Sequence, residues 1–213
     1  MSRFTFELRS IVYVVLYLII FMLYYFLTLK RRGKRLDHRV IINAFFIFYL
    51  LSVFRFVFTP FMMWFDAADR AEFITLIFQQ ESLTLWEVAN INLIPLRSLI
   101  QTVSAPLFMW RTTLRFVVGN FMLLFPLPIF IGLLSKKELT FKKALLIGFL
   151  ATLFIESGQL VINLATGFPN RLVCVDDLLL NTLGAIVGYF VFKKCHRFFK
   201  NIVLQIYKFL TWS

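Results

Sequence analysis

From Ser10 to Leu29 the chain carries no charged side chain, and four further apolar runs follow. The second runs from Val40 to Met63 and is interrupted only by Arg55. The third, Phe116 to Leu134, is uncharged and contains Pro126 and Pro128. The fourth, Ala144 to Leu164, has Glu156 as its single charge, and the fifth ends at Phe192. A helix rising ~1.5 Å per residue crosses a hydrocarbon core of about 30 Å with roughly 20 apolar residues, which the first four runs supply. Begun at Leu178, the fifth would reach only roughly 22 Å, so a longer helix from near Leu172 is expected, distorted at its start. That start places Asp176 and Asp177 at the membrane's edge. The chain is 60% hydrophobic, with 28 Phe and a mean hydropathy of +0.81. This exceeds the roughly 45–50% of a soluble domain. With no linker and no repeat in view, the reading is one membrane domain over residues 1–213, an all-α polytopic bundle of about five spans.

The first run is too long for a signal-peptide core and no small-residue cleavage site follows it, so a retained helix is expected. Basic residues set the orientation. The loop Lys30–Arg39 holds six Lys and Arg, the loop Ser135–Lys143 holds four, and the tail adds Lys193, Lys194, Arg197, Lys200 and Lys208. The segment from Trp64 to Arg115 has four Arg, no Lys and five acidic residues. These place the N-terminus outside and both basic loops and the C-terminus in the cytoplasm, all consistent with alternate crossings. The net charge of +12 is therefore read as headgroup contact, with no nucleic-acid partner. Cys174 falls outside and Cys195 inside, which keeps them from pairing within one molecule. With His38 and His196 both in cytoplasmic segments and no CxxC, no metal site and no cofactor are expected. Apolar stretches at Ala71–Phe78 and Leu93–Trp110 read as helices on the outer leaflet, and the basic, aromatic tail from residue 193 to 213 as an interfacial helix on the inner face.

Polar groups in lipid are costly, so their depth is informative. Measured from the cytoplasmic end of each run, Arg55, Asn120, Glu156, Asp177 and Asn181 all lie ~17–23 Å deep. Gln159 follows Glu156 by three positions and Asn181 follows Asp177 by four, so each pair shares a helix face. Arg171 and Asp176 sit just above. The groups could be mutual glue, with Glu156 paired to Arg55 or Arg171 and amides bonded between helices. Alternatively they line a binding or catalytic pocket. Three carboxylates facing two arginines give a layer anionic by one, able to hold a proton or a cation. Gly184 and Gly188 form a GxxxG that lets a neighbouring helix approach closely. Pro126 and Pro128 are expected to break the third helix beside Asn120.

The same residues carry a resemblance to the VanZ family. INLIPL from Ile91 resembles that family's N-L-I-P-F element, GNFMLLFPLP from Gly119 its G-N-x-x-x-F-x-P-L-G, and IESGQL from Ile155 its E-x-x-Q. RLVCVDDLLLNTLGAIVGY from Arg171 resembles R-x-x-D-x-D-D-L-x-x-N-x-x-G, the most specific of the four. The likeness covers about Asn92 to Tyr189 and places Asn92, Asn120, Glu156, Gln159, Arg171, Asp176, Asp177 and Asn181 on motif positions, with Arg55 outside them. Cys174 stands where the family often has Asp, which removes one carboxylate from any three-carboxylate chemistry, and Pro128 where it often has Gly. The resemblance implies a bacterial, Gram-positive envelope protein associated with low-level resistance to teicoplanin-type, lipid-tailed glycopeptides.

Three functions fit these readings. The first is binding or shielding of an amphiphile, a lipoglycopeptide or a lipid-linked wall component, in an outward-facing polar pocket with Arg171 at an anionic headgroup. The second is an intramembrane enzyme on envelope lipids, with Glu156 or Asp177 as general base. The third is a small transporter using the carboxylates to carry a coupling ion.

Overall fold

A computed structural model describes residues 3–6, 10–32, 38–64, 66–104 and 110–211. Residues 33–37 of the first basic loop, residues 105–109 of the expected outer-leaflet stretch and the last two of the tail lie outside these. The chain opens with β1 (Arg3–Phe6) and α1 (Ser10–Arg32), followed by α2 (His38–Phe58) and β2 (Phe61–Trp64). Short elements come next: α3 (Ala67–Phe78), α4 (Leu85–Ala89), β3 (Ile91–Asn92) and α5 (Arg97–Val103). The bundle is completed by α6 (Trp110–Leu124), α7 (Pro126–Leu134), α8 (Phe141–Thr166), β4 (Val173–Cys174) and α9 (Val175–Thr211). Four stretches are long and apolar enough to cross a membrane: Arg39–Phe58, Leu114–Leu134, Phe141–Thr166 and Val175–Ile206. The shorter apolar stretch Val12–Leu27 of α1 joins them. The protein is an all-α, multi-pass membrane bundle.

Three boundaries differ from the sequence reading. The second run was expected to continue to Met63, yet α2 stops at Phe58. Pro60 has no N–H to give a helix and disfavours helical geometry at Thr59. Thr59 closes the last turn with its hydroxyl on the Arg55 carbonyl (2.8 Å), and Phe61–Trp64 pairs antiparallel with Arg3–Phe6. At the other end of the chain the basic tail is not a separate element. No Gly or Pro lies between Phe192 and Thr211, and the fifth span continues through it as one 37-residue helix. Its start differs as well: the helix begins at Val175 and not near Leu172, because Val173 and Cys174 pair with Ile91 and Asn92 as β4.

Packing centres on α9, which lies against α6, α7 and α8. A Cβ on Gly184 would collide with the Phe121 carbonyl oxygen, and one on Gly188 with that of Phe125, so α9 meets the α6–α7 junction backbone to backbone. That junction is the expected proline break, with Phe125 between two helices and Pro126 opening the second, where its missing N–H costs nothing. Val57, Leu124, Leu127, Ile155 and Ala185 fill the middle of the bundle. Outward faces are apolar, as lipid contact requires: Ile19, Met22 and Phe26 of α1 and Phe154 of α8 are exposed.

One end is capped by the short elements. Phe73 and Ile74 of α3 pack on Phe168 and Trp64, while Leu76, Ile77, Leu85, Trp86 and Ile94 stay exposed, the pattern expected of elements lying on lipid. The strand β3 pairs parallel with β4, Ile91 opposite Val173 and Asn92 opposite Cys174. A capping box starts α4. The Thr84 hydroxyl accepts from the Glu87 N–H (3.3 Å), and the Glu87 carboxylate accepts from the Thr84 N–H (2.8 Å) and hydroxyl (2.8 Å). These bonds, the backbone one first, hold the Glu87 carboxyl below the usual carboxylate range. A depressed carboxyl contributes stability that is present above its unfolded value of ~4.3 and lost as pH falls through the folded one. Thr84→Ala is expected to move the Glu87 titration up toward ~4.3, read by carbon NMR of the labelled carboxyl.

Candidate functional site

Four side chains on α8, Thr152, Glu156, Gln159 and Asn163, recur at spacings of four, three and four and so form one stripe facing the bundle interior. All four are buried, Thr152 and Asn163 at 0% exposure. Asn163 ties down the returning chain. Its amide N–H groups reach the Ala89 (3.1 Å) and Arg171 (2.7 Å) carbonyl oxygens, and its oxygen accepts from the Arg171 N–H (3.0 Å). Two turns below, Glu156 accepts from the Cys174 N–H at 3.0 Å. Gln159 donates to the Val57 carbonyl (3.4 Å) and Thr152 accepts from Asn181 (3.1 Å).

The facing helices complete the layer. Asn120 of α6 donates to Asp177 at 2.7 Å. Asp176, 1% exposed, accepts from the Leu96 N–H. Asn92 donates to the Ser98 hydroxyl (2.8 Å) and reaches the Cys174 sulfur (3.8 Å), which itself lies 3.0 Å from the Ser98 oxygen. Asn92, Asn120, Glu156, Gln159, Asp176, Asp177 and Asn181 thus meet through α8, α9, α6 and the β3–β4 pair. Their bonds go to backbone N–H groups, to the Val57 carbonyl, to Ser98 and Thr152, and in one case, Asn120 to Asp177, to each other. Glu156 accepts from a backbone amide, and not from an arginine as the reading of mutual glue had it.

The arginines go elsewhere. Arg171 donates through Nη2 to the carbonyl oxygens of Thr59 (2.8 Å) and Pro60 (3.4 Å), while its Nε is buried with no hydrogen-bond partner. Burial draws its pKa below the usual guanidinium value. Arg55 holds its guanidinium 5.4 Å above the Tyr13 ring, a cation–π distance. Both line one cavity of ≈ 640 Å³ whose other walls are Tyr13, Phe48, Ser52, Phe56, Thr59 and Pro60. Tyr13 is fixed there by donating to the Phe48 carbonyl (3.1 Å) and by its bond with Ser52. An anionic layer was expected, and the carboxylates do lie inside the bundle. The open space beside them is cationic.

Arg55 stood outside the family motifs, and Asn163 and Thr152 were not among the expected site residues. The latter two were findable, since they continue the Glu156–Gln159 face. Ser52 was findable in the same way, three positions before Arg55 on α2, whereas Tyr13 had no sequence signal because it reaches the cavity only through the packing of α1 on α2. Both cysteines are free, and among the described residues no group of three or more His, Cys, Asp or Glu could hold a metal.

No curated protein and no solved structure matches the chain. The sequence profile described as VanZ/LLP1 matches residues 46–200. That range holds all nine predicted site residues and starts within α2, well before the motif stretch that begins at Asn92. The chain belongs to the VanZ/LLP1 family.

Proposed function

We propose that this VanZ-type envelope protein binds an amphiphile, its anionic group between Arg55 and Arg171 and its apolar part along Phe48 and Phe56. In doing so it shields the envelope of a Gram-positive bacterium against teicoplanin-like glycopeptides. The observation that carries this is the convergence of two guanidiniums from separate elements on one cavity with aromatic walls. A volume of ≈ 640 Å³ suits a small-molecule site. Phe48 and Phe56 are themselves exposed, so the cavity is continuous with the lipid-facing surface. The unpartnered Arg171 Nε carries a desolvation cost that an anion would offset. The basic-loop pattern supports an outward-facing cavity, on the side where a lipoglycopeptide or a lipid-linked wall component is found.

Packing favours binding over the other two readings. For an enzyme, Glu156 and Asp177 would have to release the amides they accept from. For a transporter, an ion would have to cross the apolar cluster around Leu124, Leu127 and Ala185.

The test uses fluorescent teicoplanin and a fluorescent polyprenyl-linked wall precursor, each titrated onto the full chain in nanodiscs. Arg55→Gln and Arg171→Lys are each expected to weaken binding of the accepted probe by roughly tenfold, the value of one charged hydrogen bond. In expressing cells the double variant is expected to lose teicoplanin protection at equal membrane abundance. Unaltered binding and unaltered protection in the double variant would end this reading.

A further inference from the structure

A second cavity lies at the opposite end of the bundle from the Arg55–Arg171 cavity. It is ≈ 290 Å³ and sits in the cleft between the Ser135–Thr140 turn and α9. Its rim carries Lys136, Lys137, Lys193 and His196, against a single acidic group, Glu138. Its floor is apolar. Leu139 and Tyr189 are buried, and the Phe192 ring lies on Gly132 so closely that a Cβ there would strike it.

We infer that this cleft is a binding site for the phosphate headgroup of an anionic phospholipid, taken from the membrane leaflet at that end. Depth is the first argument. The span Leu114–Leu134 ends one residue before Ser135 and the span Phe141–Thr166 begins one residue after Thr140, so the turn between them sits at headgroup level. Charge is the second. Three lysines against one glutamate leave an excess of two cations at a place where headgroup phosphates lie, and ammonium groups bind phosphate as point charges. Size is the third. A cavity at the low end of small-molecule sites takes a headgroup and leaves the acyl chains outside. The exposed rings of Phe141 and Phe190, tilted against each other with centroids 5.8 Å apart beside the cleft, give those chains an apolar wall. The long α9 helix explains why the site exists. By continuing unbroken past Phe192 it carries Lys193 and His196 across from Lys136 and Lys137, where a chain turning away would have left the rim half-built.

Generic attraction between basic segments and acidic lipid is the competing account, and charge-matched variants separate the two. The cleft variant K136Q/K137Q/K193Q and the control K142Q/K143Q/K200Q each remove three lysines near the same interface, but only the first touches the cleft. Purified full-length protein is loaded with phosphatidylglycerol or phosphatidylcholine and retained lipid is read by native mass spectrometry. Wild type is expected to hold phosphatidylglycerol in preference to phosphatidylcholine. The cleft variant should lose that retention by roughly tenfold or more and the control by less than about twofold. Equal losses in the two variants, or no headgroup preference in wild type, overturn the site. A third arm adds inorganic phosphate at millimolar concentration. Displacement of the lipid by free phosphate would reassign the cleft to a soluble anion and overturn the lipid assignment.

Discussion

Gly184→Val is expected to abolish accumulation of folded protein, and Gly188→Val to do nearly the same, while Gly119→Ala leaves folding intact. The three glycines face different surroundings. A Cβ at 184 or 188 is aimed at a backbone carbonyl oxygen of the α6–α7 segment. Backbone cannot rotate away as a side chain does, so the helices would have to separate. Overpacking a core costs about 1–3 kcal/mol where side chains can adjust. Here adjustment would lift α9 off its partners, losing packing along the whole α6–α7 face, and the penalty should exceed that range. Polar bonds carried by the same face, Asn120 to Asp177 among them, would go with it. At Gly119 the nearest atom to a Cβ is the tip of the Phe56 ring at 4.0 Å, ordinary contact. Alanine there removes glycine's unfolded-state freedom and is expected to add about 0.5–1 kcal/mol. Size-exclusion profiles of detergent-solubilised fusions decide the matter. A monodisperse Gly184→Val peak at wild-type yield would mean that α9 does not pack at backbone distance.

The contrast shows what a sequence of this kind reveals. Apolar runs announce helices because lipid leaves backbone polar groups no other partner, and each run holds a helix, although α2 stops short of its run and α9 continues well past it. Pro60 was visible too, yet the residues after it, Phe61–Trp64, are as apolar as those before. Hydropathy cannot register that a proline has ended the helix. The pairing of that segment with Arg3–Phe6 is a contact between residues some sixty positions apart. GxxxG at 184 and 188 was legible as a close approach, but not as an approach to the carbonyls of Phe121 and Phe125, which depends on where the proline break falls.

The polar site divides the same way. Residues on one helix face can be recognised by spacing alone, and Glu156 with Gln159, or Asp177 with Asn181, were. Their partners could not be, since Glu156 and Asp176 bond to N–H groups of Cys174 and Leu96 that every residue type but proline possesses. A backbone donor becomes a partner only when its loop folds back into the bundle and is buried. Charge counting misled for a related reason. It treated carboxylates and arginines as one population, whereas the fold turns the carboxylates toward Asn120 and the Leu96 and Cys174 amides and the arginines to a cavity beside α1 and α2.

Glu156 is where structure and chemistry can be told apart, through Glu156→Ala compared with Glu156→Gln. Alanine leaves the Cys174 N–H buried without an acceptor and opens a void in a nearly sealed interface. A buried N–H left without a partner costs about 1–3 kcal/mol and the void adds to that, so a loss of about 2–4 kcal/mol is expected. The damage should travel. Cys174 lies three residues after Arg171 and is paired with Asn92, so freeing it loosens the turn that aims Arg171 into the cavity. Glu156→Ala should therefore lower both the unfolding temperature and probe binding, although Glu156 does not touch the cavity. Glutamine keeps an oxygen at nearly the same place and can still accept from Cys174. It cannot act as a general base. If Glu156 is a clamp, Glu156→Gln retains most of the stability and most of the teicoplanin protection. If Glu156→Gln melts like wild type yet protects no better than an empty vector, the ionisable carboxyl itself is required, and the binding reading gives way to the intramembrane enzyme or the transporter.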